Sequence, residues 1–280
     1  MKVVIIGSGV MGSGIAIESV RAGYTTLLFD INSEALTKAE SYIHKQLEKA
    51  QSIGKITEEA RLAALKLLKF TDQFSELKAD FILEAIVEKL PVKQDLFARL
   101  ESQNSSDCIF ATNTSSIPIT QIASSLKHPE RLVGVHFFNP AHIMKLVEII
   151  SGAATDEKIA EKAFNWATKL GKTAVYAKDA PGFIVNRVAR HFYVESLKAL
   201  EEQVGDFEQM DRLMRVTGFK MGPFELMDLI GVETNYSVTQ SMFEQFQYDS
   251  KFRPSRIQKL KVDAGFHGRK TKKGFYNYDA

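Results

Sequence analysis

Through the first 180 residues, short apolar runs alternate with stretches whose apolar positions recur every three or four residues. The runs at 3–6, 27–29, 80–86, 108–112, 131–138, 145–150 and 173–177 predict strands, mostly buried on both faces because few polar residues interrupt them. Helical stripes lie between them. Met11, Ile15, Ile17 and Val20 fall at helical spacing up to a stop at Gly23, and further helices are expected over 34–51, 57–68, 91–102, 120–126 and 156–170. Local signals support these limits: Thr57 precedes Glu58 and Glu59 as a capping hydroxyl, Pro91 opens its helix, and Gly171 closes the last one. Strands alternating with helices predict an α/β domain whose largely parallel sheet is covered on both faces.

After Lys178-Asp179-Ala180-Pro181-Gly182 the strand pattern stops. Helices are expected over 183–203, 207–217, 223–229, 233–246 and 255–264, which makes the rest of the chain all-helical. Two domains follow, residues 1–180, with a polar helical hairpin at 33–69, and residues 181–280. A chain of 280 residues is long enough for both. No internal repeat or low-complexity segment interrupts them.

Composition narrows the class. A hydrophobic content of 45% with 25% charged residues is that of an ordinary globular protein, and a net charge of +2 gives no reason to expect nucleic acid as a partner. Cys108 is the single cysteine, so no intrachain disulfide can form; in its apolar run it reads as packing rather than as a nucleophile. No apolar run approaches a membrane span of about 20 residues, and Met1-Lys2-Val3 leads straight into the first strand without a cleavable leader. A cytoplasmic protein that uses no metal and touches no membrane is the expectation.

The first strand runs into Gly7-Ser8-Gly9-Val10-Met11-Gly12, and the second ends at Asp30, eighteen residues past Gly12. This is the strand–glycine turn–helix–strand–acid order of a Rossmann-type dinucleotide site. Gly7 permits the turn, Gly9 lets a pyrophosphate approach the backbone, Gly12 lets the helix pack on the strand, and Val10 and Met11 lie in the phosphate-facing first turn. A carboxylate at Asp30 suits both ribose hydroxyls and repels a 2′-phosphate, which favours NAD over NADP. Without its context the glycine run would be an ordinary strand-to-helix bend.

An alcohol-oxidising nicotinamide enzyme needs a base for the hydroxyl proton. His136, at the C-terminal end of a strand, stands where the active groups of open α/β sheets collect, although a histidine there is also commonly a satisfied core residue. Glu148 lies within Leu146-Val147-Glu148-Ile149-Ile150, where a buried carboxylate needs a strong partner; it either orients His136 or faces solvent on an edge strand. Ser115 follows the strand at 108–112 as a turn residue or as a donor to the reacting oxygen. Asn186, in the first turn of a helix, is a surface amide or a second donor.

Taken together, these segments resemble the short-chain L-3-hydroxyacyl-CoA dehydrogenase family, which includes 3-hydroxybutyryl-CoA dehydrogenases. Besides the glycine turn and Asp30, the likeness rests on Glu84-Ala85-Ile86-Val87-Glu88, Asn113-Thr114-Ser115-Ser116, His136-Phe137-Phe138-Asn139-Pro140, Lys145-Leu146-Val147-Glu148, the segment 179–187 and Met221-Gly222-Pro223-Phe224-Glu225-Leu226. The resemblance implies His136 as general acid/base, Glu148 as its orienting partner, and Ser115 and Asn186 as contacts to the substrate's 3-oxygen. It also implies cofactor contacts from Glu88, Lys93, Ser115, Asn139 and Lys270, an acyl-CoA substrate and a homodimer. The family's closing pattern K-T-G-x-G-F-Y departs here, where Lys272 stands in place of a glycine. The resemblance leaves two other readings open: a related sugar-acid dehydrogenase of the L-gulonate type, and a non-catalytic dinucleotide-binding protein.

Overall fold

The computed structural model describes residues 1–278. The chain divides into two compact units, Met1–Ala180 and the residues from Pro181 onward. The first is built on eight strands: β1 (Lys2–Ile6), β2 (Thr25–Phe29), β3 (Leu68–Thr71), β4 (Phe81–Glu84), β5 (Ile109–Thr112), β6 (Leu132–Phe137), β7 (Leu146–Ser151) and β8 (Thr173–Lys178). They form one sheet in the order β3-β2-β1-β4-β5-β6-β7-β8. All neighbours are parallel except β6 and β7, which pair antiparallel. The order reverses between β1 and β4, and at such a switch point a crevice opens beyond the carboxyl ends of the strands.

Helices α1 (Val10–Arg21), α2 (Ser33–Ser52), α3 (Glu58–Leu67), α4 (Leu90–Gln103), α5 (Ile119–Ala123) and α6 (Glu157–Lys169) join these strands. Local chemistry sets their starts: Asn32 Oδ1 accepts from the backbone of Glu34 and Ala35, the Thr57 hydroxyl from Ala60, and Asp156 from Lys158. The core under α1 and α6 contains Val3, Ile5, Leu28, Phe81 and Val135, with the Trp166 indole stacked 4.5 Å from the Phe81 ring. Cys108 is fully buried, and burial pushes its thiol up to about 12, so no thiolate is available at neutral pH.

Two details differ from the sequence pattern. The expected helix over 57–68 ends at Leu67, and residues 68–71 extend as β3 beside β2, adding an edge strand that alternation did not reveal. The expected helix over 120–126 shrinks to the five residues of α5, whose start at Ile119 and Thr120 is capped by the Asp179 carboxylate.

The second unit holds α7 (Val185–Glu201), α8 (Phe207–Val216), α9 (Pro223–Ile230), α10 (Val232–Gln245) and α11 (Arg256–Asp263). Tyr193, Leu197, Phe224, Met227, Val232 and Phe275 make its apolar centre. Two buried carboxylates organise the chain around it. Asp211 accepts from the backbone N–H groups of Phe224 and Glu225 and from the Tyr276 hydroxyl, while Asp228 accepts from the backbone of Phe275 and Tyr276 and from the Tyr278 hydroxyl. Among the described residues no helix is long and apolar enough to cross a membrane.

Candidate active site

The glycine turn has the shape its sequence requires. Gly7 has φ +101°, in the left-handed region, and a Cβ there would stand 2.5 Å from the Ala85 carbonyl oxygen; a Cβ on Gly12 would stand 1.8 Å from the Gly7 carbonyl oxygen, because α1 presses onto the turn. Gly9 differs from both. A Cβ on it would meet nothing within 4 Å, so its backbone faces open space at the N-terminus of α1, where unsatisfied N–H groups and the helix dipole attract phosphate. The adjoining cleft of about 640 Å³ is lined by Gly7, Gly9, Asp30, Ile31, Ile86 and Leu96, among others. Asp30 is fixed at its rim: Oδ2 accepts from the Ser8 backbone at 2.8 Å and hydroxyl at 2.9 Å, and Oδ1 from the Asn32 backbone at 3.0 Å. An open backbone cradle, a helix N-terminus and an oriented carboxylate fit a dinucleotide.

His136 and Glu148 face one another across the antiparallel β6–β7 pair. The His136 Nδ1 lies 2.8 Å from Glu148 Oε2; the carboxylate is fully buried and the imidazole side chain is 6% exposed. β8 covers the outer flank of β7, so Glu148 is not on an edge strand and does not face solvent. A carboxylate at Nδ1 holds the proton there in the neutral ring and directs Nε2 to proton transfer.

Ser115 sits in the turn after β5, and a carboxylate network fixes that turn. Glu88 Oε1 accepts from the Thr114 hydroxyl at 2.5 Å, the Ser115 backbone at 3.0 Å and the Ser116 hydroxyl at 3.2 Å. Burial alone would raise the Glu88 carboxyl, but the Lys93 charge and the hydrogen bonds from Thr114, Lys93 and Ser115 outweigh it and hold the group below the usual carboxylate range. Lys93 is itself enclosed, with its side chain 1% exposed. Its Nζ stands 2.5 Å from Glu84 Oε1 and 3.2 Å from Glu88 Oε2, so any influence it has on a ligand passes through Glu88. Glu84 also accepts from the Thr112 hydroxyl and the Ile86 backbone. Sequence reasoning had singled out neither Glu84 nor Asn113, whose side-chain oxygen accepts from the Phe137 backbone and ties the Ser115 turn to β6. The signal available for Glu84 was a carboxylate closing an apolar strand.

Asn139 is exposed and precedes a cis peptide bond to Pro140. In the second unit, Asn186 is half-buried in the first turn of α7, and Lys270 is ion-paired with Glu233. Lys272 adopts φ 59°, ψ 6°, the left-handed conformation that explains the family's glycine at that place.

A doubly wound sheet with this cradle and a buried histidine–carboxylate pair defines a Rossmann-type dinucleotide-binding protein of the α/β class. Residues 2–180 match the family described as "3-hydroxyacyl-CoA dehydrogenase, NAD binding domain", and residues 182–278 match "3-hydroxyacyl-CoA dehydrogenase, C-terminal domain". The chain belongs to the 3-hydroxyacyl-CoA dehydrogenase family. It is 45% identical over 280 residues to a 3-hydroxyadipyl-CoA dehydrogenase of Escherichia coli, covering 99% of this chain and 59% of that protein, so it spans less than two thirds of that relative. A 3-hydroxybutyryl-CoA dehydrogenase of Bradyrhizobium diazoefficiens is 39% identical, with 99% and 95% covered. Among solved structures, a 3-hydroxybutyryl-CoA dehydrogenase from Escherichia coli superposes with a TM-score of 0.98 at 45% identity, covering all of this chain and 60% of that one.

Proposed function

We propose that this chain interconverts an L-3-hydroxyacyl-CoA, 3-hydroxybutyryl-CoA or a similar short-chain thioester, and the corresponding 3-oxoacyl-CoA with NAD. The observation that carries the reading is the buried His136–Glu148 pair, 2.8 Å apart at the C-terminal end of β6 in a unit that also holds a dinucleotide cradle. The cradle of Gly7, Gly9, Val10, Met11 and Gly12 would hold the pyrophosphate and Asp30 the adenosine ribose, with Glu88, Asn139 and Lys270 as further contacts and Lys93 supporting Glu88. Bound there, NAD would supply the hydride acceptor for carbon 3 in oxidation and, as NADH, the hydride donor in reduction.

The protein's own part is proton transfer and charge stabilisation. In oxidation, Nε2 of neutral His136 accepts the hydroxyl proton, and the Glu148 carboxylate stabilises the imidazolium that results. In reduction the protonated ring donates to the same oxygen. Ser115 and Asn186 donate hydrogen bonds to that oxygen where negative charge develops. A homodimer in the cytoplasm belongs to the same reading.

Acetoacetyl-CoA-dependent loss of NADH absorbance tests it, with a free hydroxy-acid series and NAD as the contrast for the sugar-acid alternative. His136→Gln should lower kcat by about 10²–10⁴ while leaving NADH binding intact. Near-normal turnover in that variant removes His136 from the chemistry, and NADH binding without turnover of any acyl-CoA makes the chain a binding protein.

A further inference from the structure

Asn113 follows β5 directly and is fixed at two points. Its backbone N–H donates to the Glu84 carbonyl at 2.8 Å, and its Oδ1 accepts from the Phe137 backbone at 2.8 Å. β5 and β6 pair only as far as Thr112 opposite Gly134, so the side chain stands in for the next ladder carbonyl and holds the residue that follows His136. This contact also settles the orientation of the amide. The atom facing an N–H must be oxygen, which puts the NH2 group at the other end. Nδ2 donates to no described residue, and it is not sealed from water in this half-buried side chain.

The Phe137 N–H alone does not call for an amide, since a carboxylate or hydroxyl oxygen would accept from it as well. What asparagine adds is an N–H donor held in one direction. The carboxylates of this end of the sheet do not take it: Glu84 serves Lys93, Thr112 and Ile86, Glu88 the Ser115 turn, and Glu148 His136. A fixed donor left open fits an acceptor that arrives from outside. Its place identifies the acceptor. A dinucleotide lies across the point where the strand order reverses, here between β1 and β4. Asp30, at the end of β2, marks the adenosine side, so the nicotinamide half falls over the ends of β4, β5 and β6. Asn113 is two strands from the glycine cradle, about 10 Å at ordinary strand spacing, and beside the strand that carries His136.

We infer that Asn113 orients the coenzyme, with Nδ2 donating to the carboxamide oxygen of the nicotinamide. This rests on NAD binding and on His136 as the proton-transfer group, as proposed above. A carboxamide held at its oxygen cannot turn with the ring, so one face of the ring is kept toward carbon 3. Because Oδ1 is held by the strand next to His136, one side chain sets the coenzyme in register with the base.

The test is equilibrium binding to the full chain, by calorimetry without substrate, of NADH and of its thionicotinamide analogue, whose sulfur is a much weaker acceptor than oxygen. The wild type should bind NADH roughly 3–10-fold more tightly, the usual effect of one neutral hydrogen bond. Asn113→Asp keeps an oxygen for the Phe137 N–H but loses the donor, so the two Kd values should become nearly equal while Tm stays close to that of the wild type. A purely structural role would leave the ratio of the two Kd values unchanged. Asn113→Ala, which removes both ends of the amide, should give the same equality and decides the matter should the Asp variant fail to fold. A wild-type ratio near one, or a ratio that survives in the variants, overturns the inference, as does a rise in KM for acetoacetyl-CoA with the coenzyme ratio unchanged, which would place the donor on the substrate. Acetoacetyl-CoA turnover by the wild type leaves the proposed function standing in each of these cases, and absence of both NADH binding and turnover overturns the two together.

Discussion

Lys272 holds a backbone conformation that side chains other than glycine adopt at a cost. With φ 59° and ψ 6°, its Cβ crowds the following carbonyl, while glycine there would lose more freedom on folding. The first effect exceeds the second, so Lys272→Gly should stabilise the chain by about 0.5–1 kcal/mol, read as a higher midpoint in urea at unchanged slope. An unchanged midpoint would show that the turn bears no strain. Other single residues were less legible. His136 and Glu148 stood out as polar groups in apolar runs, but the runs gave no strand direction. Only the antiparallel register, with residue 136 opposite residue 148, turns two ambiguous side chains into one pair.

At the scale of elements, the strand-to-helix junctions of the first unit were readable because apolar periodicity and caps are local. What joins them was not. β3 escaped notice because Leu68-Lys69-Phe70-Thr71 is short, polar and on the sheet edge, and continues a helical stripe without a break. The same holds for the network that links β4, α4 and the Ser115 turn. Glu84 ends β4, Lys93 projects from the start of α4, and Glu88 lies between them in sequence, so three elements are fixed by two carboxylates sharing one ammonium. Removing one partner of a buried pair leaves the other charge uncompensated. Glu84→Gln and Lys93→Met should therefore each destabilise the fold by about 3–5 kcal/mol, and the double variant by clearly less than their sum. Chemical denaturation of the four proteins measures this coupling, and strict additivity would show that the pair is not a unit.

For the whole molecule, the test is whether the cofactor cleft contributes to global stability. The Met1–Ala180 unit holds the cradle, the cleft and Asp30, all in the native state and none of them assembled in an unfolded chain. A ligand that binds only the folded form stabilises it by mass action, about 2.7 kcal/mol at a hundredfold excess over Kd. In a chain of this size that corresponds to a rise in Tm of about 5–10 °C. NADPH should give a smaller shift at the same concentration, because Asp30 Oδ2 is already held by Ser8 and the carboxylate meets a 2′-phosphate as a like charge. Asp30→Ala removes both the ribose contact and the repulsion, so the difference between the two coenzymes should shrink while the NADH shift itself falls. Equal shifts for NADH and NADPH in the wild type would mean that the carboxylate at the end of β2 does not choose between them, and selection would have to come from elsewhere in the cleft.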